Sequence, residues 1–405
     1  MFYISSYTLS GGSLFLALFI ASLTIDQGEF GVLSLIVSIQ YFTSQFSCLG
    51  LPFSALYYES KNDGENYFVN HYLNISLLSI LVGVILYFTY DYIFVHFSQR
   101  LLEFKIYIIF VSYLMAGNKV FMASLNGAKR FTFLSILHCL KGAITLFGIG
   151  YCFWLEQPIE DYVYYVFLLP ELLLYLVYSF ISFKQIHLIK LVNFKNVLLS
   201  DIRFGLKSFW GAIFLESNTK VDLFFVSYFY SDSISGIYGF ISIFSDVVLQ
   251  FTTVIRNLFN PEFTAIFESD IDVKTKNTRL FEILKKGYVY TFPVIFVLGI
   301  GFYCLLTMIP ELDKYYLGAD VFYILFPTLL FISPLFVFFQ YFGQVGLPLT
   351  QSVFFTAMVV VNIILNLILV PRLGMIGAVL STSCAYLLYF VMKFNYIKII
   401  SSREL

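Results

Sequence analysis

About twelve apolar stretches follow one another along this chain, at roughly 8–25, 30–53, 68–89, 106–126, 131–154, 162–183, 204–229, 234–256, 286–308, 321–342, 350–370 and 375–394, with short polar breaks between them. Each is close to the roughly 20 residues a helix needs to cross a hydrocarbon layer about 30 Å thick. Inside that layer every backbone N–H and C=O must be bonded within the protein, so a single segment of this length satisfies itself only as a helix. The fold class expected is therefore all-α: a polytopic membrane protein of about twelve transmembrane helices. Composition leaves little alternative. Of 405 residues 59% are hydrophobic and only 12% charged, and the mean hydropathy is +0.84, too little polar material to cover soluble domains of that size.

The formal net charge is −1. It supplies no global field and suggests no nucleic-acid partner, so any electrostatic function rests on a few well-placed charges. Cys48, Cys139, Cys152, Cys304 and Cys384 are scattered in apolar runs without a CxxC, and only Cys139 has a histidine beside it, His138. They read as small core residues rather than as a disulfide framework or metal site. Met1 to Ser10 has no basic n-region and no small-residue cleavage site after its apolar run, so Leu14 to Leu23 reads as part of a retained first helix. The chain has no GxxxxGK[ST], no HExxH, no GxSxG and no clustered Asp/His set. Neither an enzyme nor a cofactor is expected; movement across the membrane is the function class most compatible with these residues.

With the N-terminus placed inside, the inner loops and ends collect Lys61, Lys129, Arg130, the group Lys184 to Lys207, the group Arg256 to Lys286, and the tail Lys393, Lys398 and Arg403. Arg100, Lys105, Lys314 and Arg372 fall outside, and Lys119, Lys141 and Lys220 fall within helices. This bias favours cytoplasmic N- and C-termini. Tyr162, Tyr164 and Tyr165, and again Tyr315 and Tyr316, stand where helices meet the outer interface and read as belt residues. External loops are short, which excludes a large extracytoplasmic catalytic domain.

The basic, amphipathic stretch Lys184 to Lys207 divides the chain into an N-terminal six-helix lobe (1–183), a cytoplasmic linker (184–207) and a C-terminal six-helix lobe (208–405). Such a linker is suited to lie along the inner membrane surface. An even helix number in each half gives the arrangement of a parallel repeat, and Gly31-Val32-Leu33-Ser34 has a faint echo in Gly236-Ile237-Tyr238-Gly239. A second polar stretch, Asn260 to Lys286, reads as a surface helix.

A charge at the bilayer centre costs at least about 2.5 to 3.5 kcal/mol, so each one asks for a partner or an aqueous cavity. Lys119 and Lys141 each lie ten residues from the Lys129/Arg130/Phe131 boundary, about 10 to 15 Å deep at 1.5 Å per residue. Two readings stay open: the lysines hold an anion such as a phosphate between them, or they form a structural network neutralised by Glu171, which follows Pro170. The seventh stretch is the most polar, with Glu216, Ser217, Asn218, Thr219, Lys220 and Asp222. Glu216 and Lys220 can pair at their spacing of four, and the cluster favours a cavity wall. Asp246, ten residues before Arg256, is either a coupling carboxylate or a satisfied polar residue. Asn118, Asn126, His138 and Asn218 add hydrogen-bonding groups, and Pro170, Pro293, Pro327 and Pro334 break or kink helices. The candidate substrate-binding set is Lys119, Lys141, Lys220, Asn218 and Arg256; the candidate coupling or gating set is Glu171, Glu216, Asp222 and Asp246.

Four groups of residues carry a resemblance. They are Phe30-Gly31-Val32-Leu33-Ser34-Leu35 leading to Leu49-Gly50-Leu51-Pro52; Leu125-Asn126-Gly127-Ala128-Lys129-Arg130-Phe131; Asp222 to Phe229 followed by Gly236-Ile237-Tyr238; and Asn366 to Ala378, containing Val370-Pro371-Arg372-Leu373-Gly374. In this order they resemble the polysaccharide-biosynthesis flippases of the multidrug/oligosaccharidyl-lipid/polysaccharide exporter superfamily, from about residue 9 to 395. The resemblance implies two six-helix lobes around a central cavity that opens alternately to either side. It also implies the cargo, an undecaprenyl-diphosphate-linked oligosaccharide such as an O-antigen or capsule repeat unit. The partners implied are that lipid-linked oligosaccharide, membrane lipids, and a glycan polymerase and glycosyltransferases; the location is the bacterial cytoplasmic membrane. Members often carry an arginine after the seventh-helix aspartate, whereas Asp222 is followed by Leu223, and Lys220 is the nearby cation. Competing readings are a multidrug/cation antiporter on the same fold, a membrane-embedded oligosaccharide polymerase, and a non-transporting scaffold for glycan assembly.

Overall fold

Helices form wherever the apolar runs are long, and several outlast the hydrocarbon layer. The structure, a computed structural model, describes residues 2–60, 68–155, 157–184, 196–206, 209, 213, 220–269, 271–345 and 347–403. The chain divides into two compact units, Met1–Glu216 and Ser217–Leu405.

The first unit contains α1 (Phe2–Thr24), α2 (Gln27–Cys48), α3 (Leu51–Ser60), α4 (Phe68–Phe94), α5 (Lys105–Gly127) and α6 (Phe131–Trp154). It continues through α7 (Ile159–Lys184) and the helical residues 196–206, labelled α8. α5 is the central element, packed by α2, α3, α4, α6 and α7, while α1 lies along α6. α4 shows why this arrangement belongs in lipid. Leu77, Ile80, Leu81, Val84, Ile85 and Phe88, each more than half exposed, form one stripe at spacings of three and four. An apolar face of that extent requires a hydrocarbon neighbour.

The second unit contains α9 (Val221–Phe229), α10 (Asp232–Glu268), α11 (Val273–Met308), α12 (Ala319–Ile332), α13 (Tyr341–Gln344), α14 (Pro348–Leu373) and α15 (Met375–Arg403). 3₁₀ turns at Pro310–Gly318 and Ser333–Phe338 flank α12. Its interior is aromatic. Phe240 stacks on Tyr315 at 4.5 Å between centroids and on Phe302 at 5.3 Å, and Phe322 stacks on Phe326. Such offset contacts add to the burial of large rings.

Among the described residues nine helices are long and apolar enough to cross a membrane, or ten when the bent pair α2 and α3 is one span. The expected count of twelve is not confirmed among these residues. In α1 the apolar helix counted is Leu9–Thr24, shorter than a full span, and part of the seventh stretch, including Glu216 and Asn218, lies outside the described residues. So does half of the 184–207 connection.

Other boundaries moved for identifiable reasons. The 30–53 stretch is two helices meeting at 54°. Leu49 and Gly50 have φ of 44° and 76°, and Pro52 has no N–H to continue the ladder of α2. Asn260 to Lys286 is not a separate surface helix: α10 runs 37 residues and α11 36, about 55 Å each at 1.5 Å per residue, and their polar ends meet at a short turn capped by Asp272. Tyr162 and Tyr315 are fully buried rather than belt residues. Tyr162 shares a hydrogen bond with Thr24 at 2.5 Å, and Tyr315 is held in the phenylalanine cluster. Tyr164, Tyr165 and Tyr316 are exposed as expected.

Candidate functional site

Buried polar residues gather in separate networks within each unit. In the first unit the key carboxylate is Glu171, on the inner face of α7 one residue after Pro170. A π-helical segment, Tyr162–Leu168, precedes it; each residue in such a turn rotates less than in an α-helix, so the face that follows is re-aimed. Glu171 is nearly buried. Its Oε1 accepts from Lys141 Nζ at 2.5 Å, and its Oε2 accepts from Asn118 Nδ2 at 2.7 Å. Asn118 also donates to the Glu171 carbonyl at 2.8 Å. One acidic residue therefore ties α5, α6 and α7 together.

Lys119 takes a different direction from its neighbour Asn118. Its Nζ donates to Ser44 Oγ on α2 at 3.0 Å and lies 5.9 Å from the centre of the Tyr41 ring. The two lysines of equal depth thus have different partners, Lys141 a carboxylate and Lys119 a hydroxyl with an aromatic face. Around them runs a line of hydroxyls and amides. Thr43 bonds to Ser112, Tyr107 donates to Gln40 Oε1 at 3.1 Å, and Tyr175 bonds to Tyr113 and, at 3.1 Å, to Ser76.

A second network in this unit centres on Asp201 of α8, which is wholly buried. It accepts from Ser54 at 2.5 Å and Asn74 at 2.7 Å, and His71 Nδ1 stands 3.0 Å away.

In the second unit Asp222, near the start of α9, is the counterpart. It accepts from Tyr238 OH at 2.9 Å, Asn366 Nδ2 at 2.9 Å and Thr382 Oγ1 at 2.5 Å. Asn362 donates to Thr382 at 3.2 Å, and its side-chain oxygen accepts from Asn366 at 2.7 Å. These partners are all neutral, so two hydroxyls and an amide N–H converge on one buried carboxylate without a cationic side chain among them. Lys220 instead reaches Asp246 on α10 at 2.8 Å, with side chains about one-fifth and one-third exposed. The pairing considered for Lys220 with Glu216 involves a residue outside the described set, as does any role of Asn218. Arg256 is almost buried on α10.

Lys393, expected in the terminal tail, is instead completely buried on α15. Its ammonium donates to Phe339 O at 3.0 Å, Gln351 Oε1 at 3.3 Å and Tyr389 OH at 2.9 Å, and faces the rings of Phe342 and Tyr389 at 5.0 and 5.1 Å. Phe339 lies where the 3₁₀ turn after Pro334 gives way to α13. The helix break exposes a carbonyl that Tyr389, at 2.9 Å, and Lys393 both cap.

Sequence reasoning also missed Asn362, Asn366, Thr382, Tyr238 and Asp201. The available signal was two asparagines four apart in the otherwise apolar 350–370 run, which places both amides on one helix face. Among the described residues no group of three or more His, Cys, Asp or Glu could hold a metal ion.

Known proteins share this architecture. No curated protein sequence matches the chain. Its fold is similar to the inward-facing conformation of a multidrug resistance MATE family transporter of the MOP superfamily: TM-score 0.68, 13% identity, 98% of this chain and 95% of that one covered. It is also similar to the lipid II flippase MurJ in an inward closed conformation: TM-score 0.64, 15% identity, 97% and 87% covered. An outward-facing MATE transporter matches at TM-score 0.58 and 13% identity over 98% and 94%. Residues 1–267 match the profile of the family described as polysaccharide biosynthesis protein. The chain is a multi-pass membrane protein with the fold of MOP-superfamily transporters and flippases, and it belongs to the polysaccharide biosynthesis protein family.

Proposed function

We propose that this protein is a flippase that turns an undecaprenyl-diphosphate-linked oligosaccharide repeat unit across the bacterial cytoplasmic membrane by alternating access. The observation that supports it best is family membership combined with charged side chains sunk among membrane-spanning helices. Two lobes, 1–183 and 208–405, joined by the 184–207 linker, rock about a central cavity, with both termini cytoplasmic. The diphosphate-sugar head is met by Lys119, Lys141, Lys220 and Arg256, with Asn218 alongside, while the polyprenyl tail stays in lipid.

Glu171 and the diphosphate compete for Lys141, and Asp246 and the diphosphate compete for Lys220. Head binding thereby loosens links between helices, and the carboxylates it displaces are the gating groups. Asp222, surrounded by hydroxyl and amide groups, takes up a proton or a small monovalent cation as the coupling step, and Glu216 assists. Each lysine contributes one charge-assisted hydrogen bond of about 1.5 to 3 kcal/mol, so its loss weakens head binding about tenfold or more.

The test uses purified protein in vesicles carrying a fluorescent undecaprenyl-diphosphate oligosaccharide in one leaflet. Transfer to the other leaflet should be fast with the wild type and at least tenfold slower with Lys119→Met and Lys220→Met. No transfer by a folded wild-type protein, with cationic-dye efflux in its place, would replace this reading by a multidrug antiporter.

A further inference from the structure

Beside α8 the first unit has a cleft of about 410 Å³ lined by Tyr58, Asn196, Leu199, Ser200, Arg203 and Phe204. That volume is within the range of small-ligand sites, about 300 to 1,000 Å³. α8 is built to hold this cleft in place. Val197, Asp201 and Gly205, four apart, form its inner face and are all buried. Asp201 is fastened by Ser54, His71 and Asn74, and Gly205 lies so close to the α2–α3 elbow that a Cβ there would meet Leu49 O at 2.6 Å.

The outer face is correspondingly fixed. Asn196, Leu199, Ser200 and Arg203 follow at helical spacing and front the cleft, while the Phe204 ring stacks on Tyr57 at 4.8 Å. Among the described residues the Arg203 guanidinium has no hydrogen-bond or ion-pair partner. Asp201, two residues away, is turned inward to Ser54, His71 and Asn74. Apolar groups share the lining: Leu199, more than half exposed, and the Tyr58 and Phe204 rings stand beside the polar side chains.

A guanidinium with no partner among the described residues, set with amide and hydroxyl groups beside Leu199 and two aromatic rings on a membrane protein, fits a phosphate on a hydrocarbon anchor better than a free anion. We infer that this cleft binds the phosphate group of an anionic membrane lipid, one without a headgroup cation to compete for it, with Arg203 as the bidentate donor and Asn196 and Ser200 beside it. The inference stands on the membrane fold and not on the proposed cargo.

Native mass spectrometry of the purified full chain tests it, with phosphatidylglycerol and phosphatidylcholine supplied in equal amounts. The wild type should retain one phosphatidylglycerol and little phosphatidylcholine. Arg203→Gln should reduce that retention about tenfold or more, the loss expected for charge-assisted hydrogen bonds, and Arg203→Lys should fall between. Leu199→Trp, which fills the cleft and leaves the charge, should reduce it as well and serves if the arginine variant fails to fold. Undecaprenyl phosphate added as competitor separates the sources: displacement assigns the site to a prenyl phosphate, and no displacement assigns it to the bilayer phospholipid, each upholding a lipid phosphate site. Equal retention of the two phospholipids, or equal retention by wild type, Arg203→Gln and Leu199→Trp, would overturn it. Retention is read without transport, so failure of the flippase proposal leaves this outcome intact.

Discussion

Removing one member of the Lys141–Glu171 pair should be far more damaging than removing both. Leaving one buried charge without its partner costs about 3 to 5 kcal/mol, whereas replacing both by uncharged groups is near neutral. The two side chains are unequal, Lys141 being 27% exposed and Glu171 7%. Lys141 can still reach polar surroundings when Glu171 is lost, so Glu171→Gln should cost about 2 to 3 kcal/mol, somewhat below that range. Lys141→Met strands the more buried carboxylate with Asn118 as its remaining side-chain donor and should cost about 4 kcal/mol. The double variant should return to within about 1 kcal/mol of wild type, a coupling energy of several kcal/mol in a double-mutant cycle. Reversible unfolding in detergent micelles, followed by near-ultraviolet circular dichroism and repeated by steric trapping, measures all four corners. If the two single losses simply add in the double variant, the pair does not act as a unit and the argument from burial fails. Transport by the stable double variant then reports whether the charges serve the cargo as well as the fold.

Three further outcomes follow from the buried networks and from an exposed helix cap. Asp201→Asn replaces an acceptor of three donors by a group that must itself donate. It should cost about 1 to 3 kcal/mol and release α8, seen as faster tryptic cleavage after Arg203; unchanged cleavage would mean that packing alone holds the helix. Lys393→Met leaves Phe339 O with Tyr389 as its side-chain donor and takes the Lys393 donor from Gln351 Oε1 while removing a buried ionisable group, so global stability should change little but amide exchange across 336–345 should quicken. Exchange left as it was would show that the helix break is held elsewhere. Asp272 caps α11 by accepting from the Thr275 N–H at 3.1 Å and from its hydroxyl at 2.5 Å, which holds its carboxyl below the ordinary carboxylate value. A depressed folded value means that the cap's contribution is complete above the unfolded pKa of about 3.9 and is lost as pH falls through the folded one. Protection of the first turn of α11 should therefore fall with acidification below pH 4, and Asp272→Asn, which caps without titrating, should remove that dependence.

Apolar length and charge spacing were legible because both are local. The hydropathy of residues 68–89 announces α4, and Lys141 and Glu171 stand out because the residues around them are apolar. What was hidden depends on neighbours distant in sequence. A charged run such as Lys274 to Lys286 ends a hydropathy window but not a helix, so α10 and α11 run past the boundary the window sets. Hydropathy puts Lys393 in the tail for the same reason, although a carbonyl 54 residues away accepts its hydrogen bond. The burial of Tyr315 depends on Phe240 and Phe302, which no reading of 310–318 contains. The Asp222 site draws on α9, α10, α14 and α15, and only its aspartate was conspicuous.

The crossing of α8 over the α2–α3 elbow has a genetic consequence. Gly50 and Gly205 meet main chain to main chain, and a methyl group added to either would press on the other's backbone; Gly50 also holds a φ of 76°, which alanine resists. Neither position offers a charge or a hydrogen-bonding side chain, and neither can be relieved by a compensating change at the other. In a saturation library selected for correctly inserted protein, both codons should come back as glycine while the lipid-facing positions of α4 drift freely among aliphatic residues.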